Sequence, residues 1–204
     1  MSTTYDFAPL AAAIEGQVDE HPDAEALVVP HTSDDVARTI AFAQRRALRV
    51  ATEAAAREML AGTILVSTER LRRVTVDVEA RRVLIGAGDT WEEVTAALRP
   101  AGLGVRRFGS AASTVTAIEV VTGDARVRRA DERVDPELFW AVRNGGSGFG
   151  IVTAFELEAF PLEALDATSV AWHPRFDATS AALFRSVKQS VDPTNLIVSS
   201  NWLG

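Results

Sequence analysis

The 204-residue chain contains no cysteine. That excludes disulfides, thiolate zinc sites and any cofactor tethered through a cysteine sulfur. Lysine occurs once, at Lys188, and tyrosine once, at Tyr5. The histidines are His21, His31 and His173, and none has a partner at metal-ligand spacing. No apolar run approaches the about 20 residues that a bilayer-spanning helix needs. Met1 to Gly16 lacks the basic start and apolar core of a signal peptide. The expectation is a soluble cytoplasmic protein with no metal and no membrane contact. A net charge of -7 argues against nucleic acid as a partner. No serine sits in a nucleophile-elbow pattern, and no phosphate loop of the nucleoside-triphosphatase type occurs.

What is present is a core-forming composition, 47% hydrophobic, on a chain long enough for one large domain or two small lobes. Positive charge is almost all arginine, clustered at Arg45-Arg46-Arg49, Arg70-Arg72-Arg73, Arg106-Arg107 and Arg126-Arg128-Arg129. These clusters read as solvated faces, with anion binding by guanidinium forks as the alternative.

The periodicities give an order of elements. Ala26 to Val29 reads as a buried strand. Ser33 caps a helix to about Arg46, with Val36, Ile40 and Ala43 on one face. Leu48 to Ala51 and Ile64 to Ser67 read as strands, separated by helix formers from Thr52 to Ala61. Val74 to Ile85 alternates around a polar turn as a hairpin. Thr90 and Glu93 have the spacing of a capping box, opening a helix with Trp91, Val94 and Leu98 on one side. Ile118 to Thr122 pairs with Arg126 to Arg129 across Gly123-Asp124. Asp135-Pro136 starts another helix. Asn144 to Gly150 carries four of the thirteen glycines and reads as a loop before a strand from Ile151 to Phe160. A short strand at Thr168 to Trp172 and an amphipathic helix from Phe176 to Gln189 complete the reading.

Two groups of segments carry a resemblance. One runs from Ile64-Leu65-Val66-Ser67 through Val76 to Arg81 and on to Gly86-Ala87-Gly88-Asp89-Thr90-Trp91. The other joins Ala117 to Thr122, Asp135 to Arg143 and Gly148-Phe149-Gly150-Ile151-Val152-Thr153. Their order and wording resemble the FAD-binding (PCMH-type) domain of the vanillyl-alcohol-oxidase and berberine-bridge-enzyme-like oxidoreductases, in a shortened and divergent form. Asp192-Pro193-Thr194-Asn195-Leu196 is similar to the family's C-terminal segment, which returns to the flavin.

The resemblance implies an α+β, two-lobed fold with FAD between the lobes and the substrate domain largely missing. It divides the chain into an N-terminal segment (1–25), a first lobe (26–88), a second lobe (89–161) and a substrate-domain remnant with the C-terminal segment (162–204). It implies an FAD-dependent oxidoreductase acting on a small molecule. Gly109 and Ser110 would lie near the pyrophosphate, and Gly145, Gly146, Gly148, Gly150, Ile151 and Val152 near the adenine and pyrophosphate. No catalytic base is named by it.

The chain also departs from the family. The glycine-rich turn and histidine that follow the second strand are replaced by Thr52 to Ala61, a helix-forming run with no glycine and no histidine. Any FAD would therefore be held non-covalently. Arg106 to Ser113 replaces a longer glycine-rich stretch. The family's asparagine before the "FGIVT" strand is Gly148 here, and the asparagine spacing of the C-terminal segment is altered. The alternative reading is a degenerate relative without flavin, acting as a binding or interaction module. A second copy or another protein would then cover the open cleft.

Overall fold

The computed structural model describes residues 5–53, 60–106, 114–165 and 178–198, with 145–147 and 178–181 described as backbone only. The first lobe is a four-stranded sheet. Strand β1 (Gln17–Asp19) pairs antiparallel with β2 (Ala26–Val29), which pairs in parallel with β4 (Thr63–Val66), and β4 pairs in parallel with β3 (Arg49–Thr52). The short helix α1 (Ala8–Ala11) precedes β1, and α2 (Ser33–Arg46) connects β2 to β3. The apolar runs of β2 and β4 suit strands covered on both faces.

Helix α2 begins one residue earlier than the sequence places it, with Thr32 and not Ser33 as its cap. The Thr32 hydroxyl accepts a hydrogen bond from the Asp35 amide, and the Asp35 carboxylate accepts one from the Thr32 amide. Arg45 and Arg46 in the last turn complement the helix dipole. Val36, Ile40 and Ala43 are buried in one cluster with Val28, Val50 and Ile64 of the sheet.

The second lobe is an antiparallel five-stranded sheet in the order β5 (Thr75–Asp77), β6 (Arg82–Gly86), β10 (Gly150–Glu158), β8 (Val115–Thr122), β9 (Val127–Asp131). A small pairing of β7 (Leu103–Gly104) with β11 (Phe160–Pro161) flanks it. Helices α3 (Trp91–Leu98), α4 (Pro136–Gly145) and α5 (Ala178–Val191) pack on this lobe. The Thr90–Glu93 capping box forms as the spacing predicts.

The structure draws the lobes differently from the expected boundaries. The hairpin Val74 to Ile85, expected in a first lobe ending at residue 88, joins the second sheet because β6 pairs along β10. The N-terminal segment is not separate: β1 extends the first sheet. Helix α5, expected in a substrate-domain remnant, has Phe184, Val187 and Val191 buried with Leu138 and Phe149 in the second lobe. The expected helix over 52–61 falls mostly on 54–59, and the expected strand at 168–172 falls within 166–177, both outside the described residues.

One apolar cluster joins the lobes. Val121 of β8 and Ile151 of β10 share it with Val28, Ile64, Val66 and Leu71, and with Leu196 and Ile197. Residues 196–198 run beside β3, where the Val50 amide donates to the Leu196 carbonyl and the Val198 amide donates back to the Val50 carbonyl. The segment likened to a returning C-terminus thus docks on the first lobe.

Candidate functional site

In open sheets with parallel strands, ligands gather beyond the carboxyl ends of those strands. Here those ends are Val29-Pro30, Thr52-Glu53 and Val66-Ser67. The α2 N-terminus beside the first of them is already occupied. The Asp35 carboxylate accepts hydrogen bonds from the amides of Glu15, Gly16, His31 and Thr32 at 2.9, 3.0, 2.9 and 3.3 Å. Burial pushes its pKa up, but these four bonds outweigh burial and hold the carboxyl below its ordinary value.

The segment that follows β4 meets the second lobe at the turn Gly86-Ala87-Gly88. The Gly88 amide donates to the Leu71 carbonyl and the Gly86 amide to that of Arg73. A Cβ on Gly88 would run into the Thr68 carbonyl, and one on Gly86 into that of Leu71. These two glycines permit the backbone contact between lobes, a role that a glycine pair read only as a chain break does not reveal. The Ala87 amide then donates to the carbonyl of Thr153 in β10.

Thr153 is the extra residue of a β-bulge, since Val152 faces Val120 and Ala154 faces Glu119. Val152 belongs to the helix-covered face, with Val120. Ile151 is on the opposite face, fully buried in the cluster between lobes. Alternation therefore puts Glu119, two residues before Val121, on the same lobe-facing side. The Thr153 hydroxyl donates to the Glu119 carboxylate at 2.7 Å. Both residues lie in segments that carry the resemblance, but their pairing is not legible there, because a bulge is invisible in a strand's alternation.

The glycine-rich segment enters β10 at this seam. Gly145 ends α4, Gly146 to Phe149 form a single 3-10 turn, and Gly150, Ile151 and Val152 begin the strand. The expected loop is thus more regular than a loop, and Gly148 and Phe149 are buried. Gly150 is required by the sheet itself: a Cβ there would meet the Val121 carbonyl. Gly109 and Ser110 lie outside the described residues.

The turn is fixed from behind by α5. Lys188 Nζ donates to the Gly148 carbonyl at 2.6 Å, to Asp192 Oδ2 at 2.6 Å and to the Ile197 carbonyl at 2.7 Å. Burial pushes the Lys188 pKa down, opposed by the hydrogen bond and charge of Asp192. Among the described residues, no buried side-chain polar atom lacks a partner, and no three His, Asp or Glu side chains gather as metal ligands. No described helix is long and apolar enough to cross a membrane.

A separate cavity of about 370 Å³ lies on the other face of the second sheet, between α3 and α4. Ile85, Trp91, Val94, Ile118, Val142 and Phe155 line it, and Asp89 and Arg143 are its charged members. The Asp89 carboxylate already accepts from the amides of Arg73 and Gly86.

Known proteins share this outline. Residues 24–105 match a family model described as an FAD binding domain. The FAD-linked oxidoreductase hasG of Aspergillus fumigatus is 29% identical over 137 residues, covering 54% of this chain and 28% of that protein. Monolignol oxidoreductase AtBBE-like 13 of Arabidopsis thaliana is 28% identical over 132 residues, covering 52% of this chain and 24% of that one. Among solved structures, 6-hydroxy-D-nicotine oxidase from Arthrobacter nicotinovorans superimposes with a TM-score of 0.66 at 20% identity, over 77% of this chain and 44% of that one. Physcomitrella patens BBE-like 1 gives 0.65 at 16% identity, over 76% and 44%. The chain spans less than half the length of these relatives.

Proposed function

We propose, from the premise that this chain has the FAD-binding fold of the berberine-bridge-like oxidases, that it holds FAD non-covalently at the seam between its lobes. It would serve there as the flavin-holding part of an oxidoreductase acting on a small molecule. The observation that carries the reading is the backbone seam between the lobes. The segment that follows β4 bonds to the Gly86–Gly88 turn, and Ala87 of that turn bonds to Thr153 of β10, the strand that the glycine-rich turn opens.

The residues present fit a dinucleotide on the second-lobe side. Gly146 and Gly148 leave the turn before β10 without side chains, as close approach to a pyrophosphate or adenine requires. Glu119 and Thr153 supply polar atoms on the lobe-facing side of the sheet. FAD, when bound, supplies electron transfer; the protein binds, orients and shields it. The absence of cysteine, and of histidine in Thr52 to Ala61, agrees with non-covalent binding.

The first-lobe side is poorer in glycine. Each lost hydrogen bond to a charged phosphate costs about 1.5–3 kcal/mol. Three such losses weaken binding roughly a thousandfold or more, at about 1.4 kcal/mol per factor of ten. The expectation is a loosely held flavin rather than one that survives purification unaided.

The test is purification in the presence of FAD, followed by a visible spectrum and acid precipitation. Flavin absorbance that co-elutes with the protein and then remains in the acid supernatant supports the reading. Flavin in the pellet refutes non-covalent attachment. A folded protein that carries no flavin under saturating FAD refutes the function.

A further inference from the structure

Lys188 and Asp192 form the most deeply buried ion pair among the described residues, with side chains 8% and 0% exposed. Removing two charges from water is costly unless every donor and acceptor is used. Here they are used in a particular way. An ammonium has three N–H donors, and those of Lys188 meet three oxygens from three segments: the 3-10 turn at Gly148, the end of α5 at Asp192 and the C-terminal segment at Ile197. The Asp192 carboxylate in turn accepts from the amides of Leu196 and Ile197 at 2.9 and 2.8 Å.

The pair also reaches toward the first lobe. Gly123, in the β8–β9 turn, lies so close to the Asp192 carboxylate that a Cβ there would overlap it. The Gly123 carbonyl accepts from Gln44 of α2 at 2.6 Å. Residues 196–198 bridge to Val50 of β3. A helix that needed only burial at this position could carry an apolar side chain of similar volume, often without loss of stability. What an apolar side chain cannot do is fix a carbonyl of the turn and a carbonyl of the C-terminal segment to one charged atom.

We propose that the Lys188–Asp192 pair is a positioning device: it couples the docking of residues 196–198 on β3 to the shape of the Gly146–Phe149 turn, and so shapes the second-lobe half of the flavin site. Lys188 and Asp192 touch no reacting atom; they act through the turn. The link to flavin rests on the function proposed above, whereas the coupling itself does not.

The experiment is a double-mutant cycle read by amide hydrogen exchange on the full chain. Lys188→Met is expected to speed exchange about tenfold at Gly148–Gly150 and at Val198, leaving the β5–β6 hairpin unchanged. Val198→Pro removes the hydrogen bond to Val50 and is expected to speed exchange at Gly148–Gly150 in the wild-type background only. In Lys188→Met it adds nothing there. Additive effects, or a Gly148–Gly150 turn unmoved by Val198→Pro, overturn the proposal. If Lys188→Met does not fold, Asp192→Asn keeps the side chain's size and is judged by the same pattern. The cycle is repeated on the FAD dissociation constant, where each single change should weaken binding about tenfold and the double change no further. A wild-type chain that binds no FAD removes the flavin reading, while the exchange cycle still decides the coupling.

Discussion

Asp35 offers the sharpest test of how this chain holds its first lobe together. Its side chain is nearly inaccessible and receives four backbone N–H groups from two stretches of chain, Glu15-Gly16 and His31-Thr32. Replacement by alanine strands those donors and removes half of the α2 capping box. Hydrogen bonds to a charged acceptor contribute about 1.5–3 kcal/mol each, and water recovers part of that at the half-buried amides. A net loss of about 3 kcal/mol is expected for Asp35→Ala on that basis. Asp35→Asn should cost nearly as much, because its amide nitrogen would face backbone donors in place of an accepting oxygen. The sign of the pH dependence follows from the lowered pKa of the folded state. The contribution is fully present above the unfolded aspartate value of about 3.9 and is lost as pH falls through the lower folded value. Urea unfolding of wild type and variant at neutral pH, then at stepwise lower pH, should show a large gap that closes on the acid side. A gap below about 1 kcal/mol at neutral pH, or one independent of pH, would refute the assignment of this carboxylate as the anchor.

Three further substitutions separate packing from backbone strain. Gly150→Ala should destabilise by about 2 kcal/mol by pushing β10 off the Val121 carbonyl, whereas Gly102→Ala, in open space at φ +67°, should cost about 1 kcal/mol from backbone strain alone; thermal melts of both variants check the ranking. Phe184→Ala empties a site stacked on Phe149 at 5.4 Å and beside Trp140 at 4.9 Å, and should cost about 3–5 kcal/mol in denaturant unfolding with loss of near-ultraviolet circular dichroism.

The parts of this fold legible in the sequence are those set by local chemistry. The start of α2 is legible to within one residue, although the cap is Thr32 and not the equally suitable Ser33 beside it. The capping box at Thr90 forms from residues three apart, as read. The β8–β9 hairpin follows from apolar alternation around Gly123-Asp124. What is not legible depends on distant pairing. Nothing within Val74 to Ile85 says that β6 will lie along β10 rather than join the nearer sheet. Strand β1 is three residues, two of them polar, and becomes a strand only because β2 offers an edge. The same holds for the site. Gly150 reads as a cofactor glycine in the sequence, but its neighbour is the Val121 carbonyl. Lys188 looks like a solvated helix residue until Asp192, four residues on, and the carbonyls of Gly148 and Ile197 are placed around it. The one signal available is a lone lysine four residues before an aspartate, next to Val187 and Val191 on the apolar side of α5.

FAD binding is tested most directly by titrating the purified, flavin-free chain with FAD, followed by quenching of flavin fluorescence, with riboflavin as the comparison. Saturable binding of FAD is expected with one site per chain, and much weaker binding of riboflavin, which lacks the pyrophosphate and adenine that the seam between the lobes would hold. A folded chain that gives no saturation with FAD, or binds both equally, would contradict the proposed function.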